Sequence, residues 1–360
     1  MPNPAEICTI KANGQSYDIW ETVEVHRSAL EPIINHALMT VSEISTGGKA
    51  LSDLKLAPGD KVEILLAGIS VMNGLVYLRQ AAYDERSHAV QIGVASSSEV
   101  VTRSTVDVNP GSYPNQTIQQ IGSACFGKVG IGFKVVGSPS GADIKFKRAC
   151  EQLGESRFNF IERLGRLVNL HLIDDGKGGI EAYRGPQGSG GILKEGVNIL
   201  RARLLLKINE YTPNLKGVSQ AANQDSGPAS AQISADAEVP VPFGGSIPGN
   251  YKFGAEDATT KEMLQHRVDH QANHIAAETV DGVITVQGWF RSDGDLWFTH
   301  VRDPVTVDSP MLIPEGKMDF VIKEIVHRQS SQEGTTTDIM ITNPLGLGAP
   351  TVPGVTNPAG

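Results

Sequence analysis

The segment PGDKVEILLAGISVMNGLVYLRQAAYDERSHAVQIGVAS, residues 58 to 96, constrains the fold more than any other part of this chain. Val62, Ile64 and Leu66 alternate with Lys61, Glu63 and Leu65, and Val90, Ile92 and Val94 repeat the period of two. That pattern predicts a strand, a turn and two long strands, entered through Pro58-Gly59-Asp60. Asn73-Gly74 predicts a bend or bulge in the second strand. Long glycine-bearing strands that bend form the wall of a β-barrel, a sheet rolled up so that no edge is left open to aggregation. No group in the segment points to catalysis.

The 360 residues exceed what one hydrophobic core organises, so two to three domains are expected. The 39 glycines and 20 prolines favour turns and short strands over long helices. No run approaches the roughly 20 apolar residues that cross a bilayer, and the start MPNPAEICTI has neither a basic region nor an apolar signal core. A soluble product, cytoplasmic when made and without membrane insertion, is therefore expected. Cys8, Cys125 and Cys150 are odd in number and far apart, which predicts buried reduced thiols and not a zinc or redox pair. A formal charge of −9 argues against a broad nucleic-acid-binding face. It is compatible with a passage through which DNA slides without sticking.

Residues 6 to 28 read as a β-meander with an Asn13-Gly14 hairpin, and residues 33 to 45 as a further strand. From Thr117 a short helix with Ile118, Ile121 and Cys125 on one face precedes the strand IGFKVV. Phe158, Ile161, Leu164 and Val168 mark a second helix, with Leu170, Leu172 and Ile180 to Arg184 on returning strands. Ala222 to Gly254, poor in apolar residues, reads as a long loop or arm able to lie on a neighbour. Residues 257 to 277 predict a helix capped by Asp257 or Thr259, with Met263, Val268 and Ile275 as apolar points. A second meander follows through VITVQGW, DPVTVDS, MDFVIKEIVHRQ and TTTDIMITN.

Four pieces in this order carry a resemblance: PGDKVEILLAG with GLVYLRQAAYDERSHAVQI; ESRFNFIERLGRLVNLHLIDDGKGGIEAYR; VNILRARLLLKINEYTPNLKGVSQ; and VQGWFRSDGDLWFTHVRDPVTV. Over most of its length the chain resembles the Mu-like phage tail protein P family, the central baseplate hub of contractile tails. The glycine-rich 185 to 191 and the polar 222 to 254 depart from that pattern. The resemblance implies a mainly β fold with an α+β insertion, two similar antiparallel β-barrels plus a small α/β domain. The expected division is a first barrel at 1–105, a small α+β domain at 106–192, and a second barrel at 193–345. The second barrel holds an inserted arm and helix at about 222–276, and an extended tail runs over 346–360. It further implies a virion structural protein, a homotrimer presenting six barrels to a sixfold tail tube and a threefold face to a trimeric spike. Implied partners are the trimeric tail spike protein, tail tube or tube-initiator proteins and other baseplate proteins, with DNA only passing through the channel.

His266, His270 and His274 are spaced to share one helix face, and imidazoles so placed can hold a divalent metal. No Glu stands beside the first and no cysteine is near, so a solvated or trimer-facing stripe is expected and no metal or cofactor is assigned. GKVGIGF and GPQGSGG open no helix and read as turns, as do the segments holding Asp174, Asp175, Asp293 and Asp295. Trp289 and Trp297 flank RSDGD and are expected to pack in the second barrel, sugar stacking being the sharper alternative. The expected protein is no enzyme and has no catalytic residue. The alternatives are a tail-tip enzyme such as a peptidoglycan hydrolase, or a carbohydrate-binding tail protein.

Overall fold

The computed structural model describes residues 6–30, 34–42, 54–83, 88–107, 111–208, 211–220, 232–239, 248–255 and 258–348. Seven strands come first: β1 (Cys8–Ala12), β2 (Gln15–Tyr17), β3 (Thr22–Ser28), β4 (His36–Ser42), β5 (Lys61–Leu66), β6 (Ile69–Tyr83) and β7 (His88–Ser96). Asn13 and Gly14 both take positive φ, which lets a two-residue turn match the twist of β1 and β2. Cys8, Ile10, Val62, Ile64, Leu66, Val90, Ile92 and Val94 all point into one apolar core. The period of two seen in the sequence is thus the inward face of these strands.

The bends fall elsewhere than at Asn73-Gly74. Register shifts place the extra residues of β6 at Val71 and Tyr77, and each such bulge increases the local twist. Gly74 itself sits in regular pairing with Val62 and Ser96, and a Cβ there would collide with the carbonyl oxygen of Ala95. Its glycine serves close backbone approach.

A helical turn, α1 (Val100–Arg103), leads to β8 (Ser112–Tyr113), α2 (Ile118–Gly127), β9 (Phe133–Val135), β10 (Ala149–Cys150), α3 (Arg157–Leu167), β11 (His171–Asp174) and β12 (Ile180–Tyr183). Thr117 and Gln120 form a capping box that starts α2, and Ser156 caps α3. The helices cover a small sheet in which β12 pairs β11 antiparallel and β9 parallel.

β13 (Ile192–Lys194) and β14 (Arg201–Leu206) precede an excursion of β15 (Asn214–Gln220), β16 (Gln232–Glu238), β17 (Asn250–Gly254) and α4 (Lys261–Glu278). The described part of the expected arm is therefore ordered sheet. β16 pairs β15 antiparallel and β17 pairs it parallel. Few large apolar residues are needed because only one face is covered, by α4 through Met263, Leu264 and Val268. Thr260, and not Thr259, caps α4 by accepting from the Met263 amide; Asp257 lies outside the described residues. One apolar core joins α2, α3, α4, β15 and β16.

The chain returns through β18 (Val280–Gln287), β19 (Pro304–Asp308), β20 (Lys317–Ser330) and β21 (Gly334–Thr342). β20 holds β19 along its first residues and β3 along its last, so both halves belong to one 13-stranded sheet. Its main path runs β14-β18-β21-β20-β3-β4-β7-β6-β5-β1-β2, with β19 and β13 branching from β20. Two separate cores lie beneath it, one in the first half and one around Phe320, Ile322, Ile325 and Ile339. The ladders do not close among the described residues, so the fold is mainly β with an α+β part and several sheets. Most of the expected tail, residues 349–360, lies outside the described residues.

Candidate functional site

The sheet's outer face carries a polar row, interrupted by Val326, where the two halves meet. Arg201, Thr285, Asp338, Val326, His26 and His36 are successive cross-strand neighbours on β14, β18, β21, β20, β3 and β4. Arg328 donates to Asp338 at 2.9 Å and to Glu24 at 2.7 Å, and Thr285 donates to Asp338 at 2.5 Å. His26 lies 2.6 Å from Glu24 and 3.1 Å from Glu324, and its ring stacks on His36 with centroids 4.1 Å apart. Burial works against a charge on His26, but the two carboxylates outweigh it and raise its pKa above the ordinary value. His36 is lowered, by burial first and then by the charge of His26. Arg328 pairs with Asp338 and Glu24 on the strands to either side, His26 with Glu324, and Arg201 reaches past β18 to Asp338 at 4.0 Å, so the row welds strands.

The sheet ends are different. β14 and β2 each have one ladder partner among the described residues, so each presents unpaired backbone groups along one edge. Around β14 lie exposed apolar side chains: Ile192, Val197, Leu200 and Leu205, at 55%, 73%, 56% and 46% exposure. A native sheet blunts or covers such an edge, and an edge both apolar and open is suited to another chain.

The residues singled out from sequence resolve mostly into structure. His266 and His270 face inward, not toward solvent: His270 stacks on His171 at 4.7 Å and His266 abuts Gly141, while His274 is exposed. No cluster of metal-ligating side chains occurs among the described residues. Asp174 accepts from the Gly176 and Asn35 amides and from Ser98, and Asp175 from the Lys177 and Gly179 amides. Asp293 accepts from the Asp295 amide. Gly185, Gly188 and Gly191 all have positive φ, and Gly190 and Gly191 bond the backbone of Pro304 and Thr306. That glycine run is a brace against β19. Cys8 and Cys125 are buried and Cys150 is half-buried, all as free thiols.

The two tryptophans do not share the second core. Trp289 enters the first core, donating from its ring to Arg328 and from its amide to Glu6, whereas Trp297 enters the second. The turn between them diverts one ring to each core: β18 ends at Gln287, and beyond it the Gly288 amide bonds Thr335 and an isolated Phe290–Leu296 bridge closes the turn. Both rings are about 95% buried or more, so neither offers a face for a sugar to stack on. Sequence periodicity does not reveal that divergence, since it depends on where the halves dock.

No family model matches the sequence, and neither does any curated protein. Among solved structures, a 43 kDa tail protein of prophage MuSo2 from Shewanella oneidensis superposes with a TM-score of 0.81. It is 20% identical, and the match covers 95% of this chain and 99% of the other. The chain has the fold of Mu-like prophage tail proteins. This tail-protein fold is shared by a tail protein from Neisseria meningitidis at TM-score 0.76 and 14% identity, over 96% of this chain and 99% of the other. An Escherichia coli component of the type VI secretion system, described as structurally similar to bacteriophage T4 tail proteins, matches at TM-score 0.58 and 10% identity. That match covers 93% of this chain and 76% of the other.

Proposed function

We propose that this chain is the structural hub of a contractile tail baseplate, a homotrimeric adaptor between a sixfold tail tube and a trimeric puncturing spike. The observation that carries the reading is one sheet lying over two separate cores, with an edge at each end that has no further strand among the described residues. Each half, about 1–105 and 193–345, acts as one barrel-like unit, so three chains present six. The α+β part at 106–192 and the inserted arm and helix at about 222–276 belong to neither unit. Head-to-tail contact of the β14 edge with the next copy closes a ring only when the rotation closes, and three copies satisfy that. The full-length likeness to prophage tail proteins supports the same role. Tail tube or tube-initiator proteins, other baseplate proteins and the spike are the partners, with DNA passing through the ring and the virion tail as the location. No reaction is assigned to the chain.

Sedimentation of the purified full chain tests the proposal. A particle of three chain masses is expected, and it should carry sixfold-like features in projection images. A single-chain mass at tens of micromolar would reject the ring. Peptidoglycan release by the purified protein would reject the purely structural role.

A further inference from the structure

Residues 207–279 leave the large sheet and return to it at one place. β14 and β18 pair directly, Leu206 opposite Val280, and the Lys207 amide donates to the Thr279 carbonyl, closing the base of the excursion. The large sheet's pairing needs nothing from β15, β16, β17 or α4. What seats this unit is α4, and its seat is built partly of imidazoles. His270 stacks on His171 of β11 at an interplanar angle of 24°. The Nε2 atom of His171 and the Nδ1 atom of His266 are buried without hydrogen-bond partners. Asn273 donates to Asn169 at 3.3 Å beside them.

We infer that residues 207–279 form a module whose seat on the α+β part loosens on acidification, with His171, His270 and His266 as the release element. A second proton on any of these rings would place a cation in a contact that already holds cations. Arg184 faces His171 and His266; Arg166 of α3 and Arg267 of α4 face His270; His274 faces His171 and His270. On the acidic side, Asp269 and Glu262 of α4 face His266, and Glu162 of α3 lies near Arg267. Asp236 of β16 is taken up by Lys216 of β15, and Glu278 by Lys207. Tyr251 of β17 faces Arg267, Asp281 of β18 pairs with Lys323, and the short turn 344–347 against α4 has no charge. Among the described residues no carboxylate hydrogen-bonds His171, His266 or His270.

Burial lowers His171 to about 4, with Arg184 adding to it, and lowers His270 and His266 below the ordinary value for the same leading reason. The folded pKa values are depressed, so the seat is firm above about pH 6.5 and weakens as pH falls toward 4. Lowering His171 from the ordinary value near 6.5 to about 4 multiplies the opening equilibrium by on the order of thirty-fold at pH 5 relative to neutrality, and His270 and His266 act in the same direction.

Hydrogen–deuterium exchange of the full chain at pH 7.5, 6 and 5, corrected for intrinsic exchange, reads this opening. Protection of α4 and β15–β17 is expected to fall by more than the roughly thirty-fold that His171 alone gives by pH 5, and by more than that of β20 and β21, which lose only what His327 costs the whole sheet. The doubly substituted His171→Phe, His270→Phe chain keeps stacked rings that cannot titrate, and should lose most of that response. If it does not fold, His171→Gln alone should reduce the response by on the order of thirty-fold. Unchanged protection of α4 at pH 5, loss in step with β20, or an identical response in the substituted chain would each overturn the inference.

Discussion

Trp289 shows how much one side chain carries here. It is fully buried in the first core although the second half of the chain supplies it, and both its nitrogens find partners, Arg328 and Glu6. Trp289→Ala should lower stability by about 3–5 kcal/mol in urea unfolding, since a large cavity would open between rigid strands. His327 is the complementary case. Thr337 spends its single hydroxyl proton on the Gly288 carbonyl, so at 2.8 Å it accepts from His327, which fixes the proton on Nδ1. The bare Nε2 faces apolar surroundings, and burial takes the pKa down to about 3. A depressed histidine contributes stability that is present above about pH 6.5 and fades as pH falls. His327→Gln should therefore reduce the stability lost between pH 7 and pH 4 by about 3 kcal/mol, measured as the difference of urea midpoints at the two pH values.

At the scale of elements, the alternation of Val62, Ile64 and Leu66 and the helical spacing of Phe158, Ile161 and Leu164 were legible because one face meets one core. Of the excursion, α4 was legible and the sheet beside it was not. β16, QISADAE, buries chiefly Ala235 against α4, and small residues in a one-sided sheet look like linker to any hydrophobicity count. The bulges at Val71, Tyr77 and Lys323 were equally hidden, since a one-residue slip is set by cross-strand partners. The histidine spacing on α4 was visible, but its inward orientation follows from packing against β11. For the open edge, substituting Leu200→Lys and Leu205→Lys together should leave the thermal midpoint within a few degrees, because both side chains are exposed. The same variant should sediment as a single chain if β14 is the contact between copies.

Over the whole molecule, the pairing of β3 with β20 and the exchange of Trp289, Leu296 and Phe298 into the first core make the halves interdependent. A fragment ending at residue 105 keeps β1 to β7 but lacks those three side chains and β20, one of the two partners of β3. It should show no cooperative transition by circular dichroism, whereas the full chain unfolds with coincident signals from both cores. Ribosomal synthesis gives that arrangement a temporal meaning. The first seven strands emerge some two hundred residues before β20, at a pace of seconds to tens of seconds. Throughout that wait β3 has a bare side and the nascent sheet a vacancy where an indole belongs. Completion only after β20 has emerged makes premature polymerisation of unfinished chains the hazard this topology must outlast.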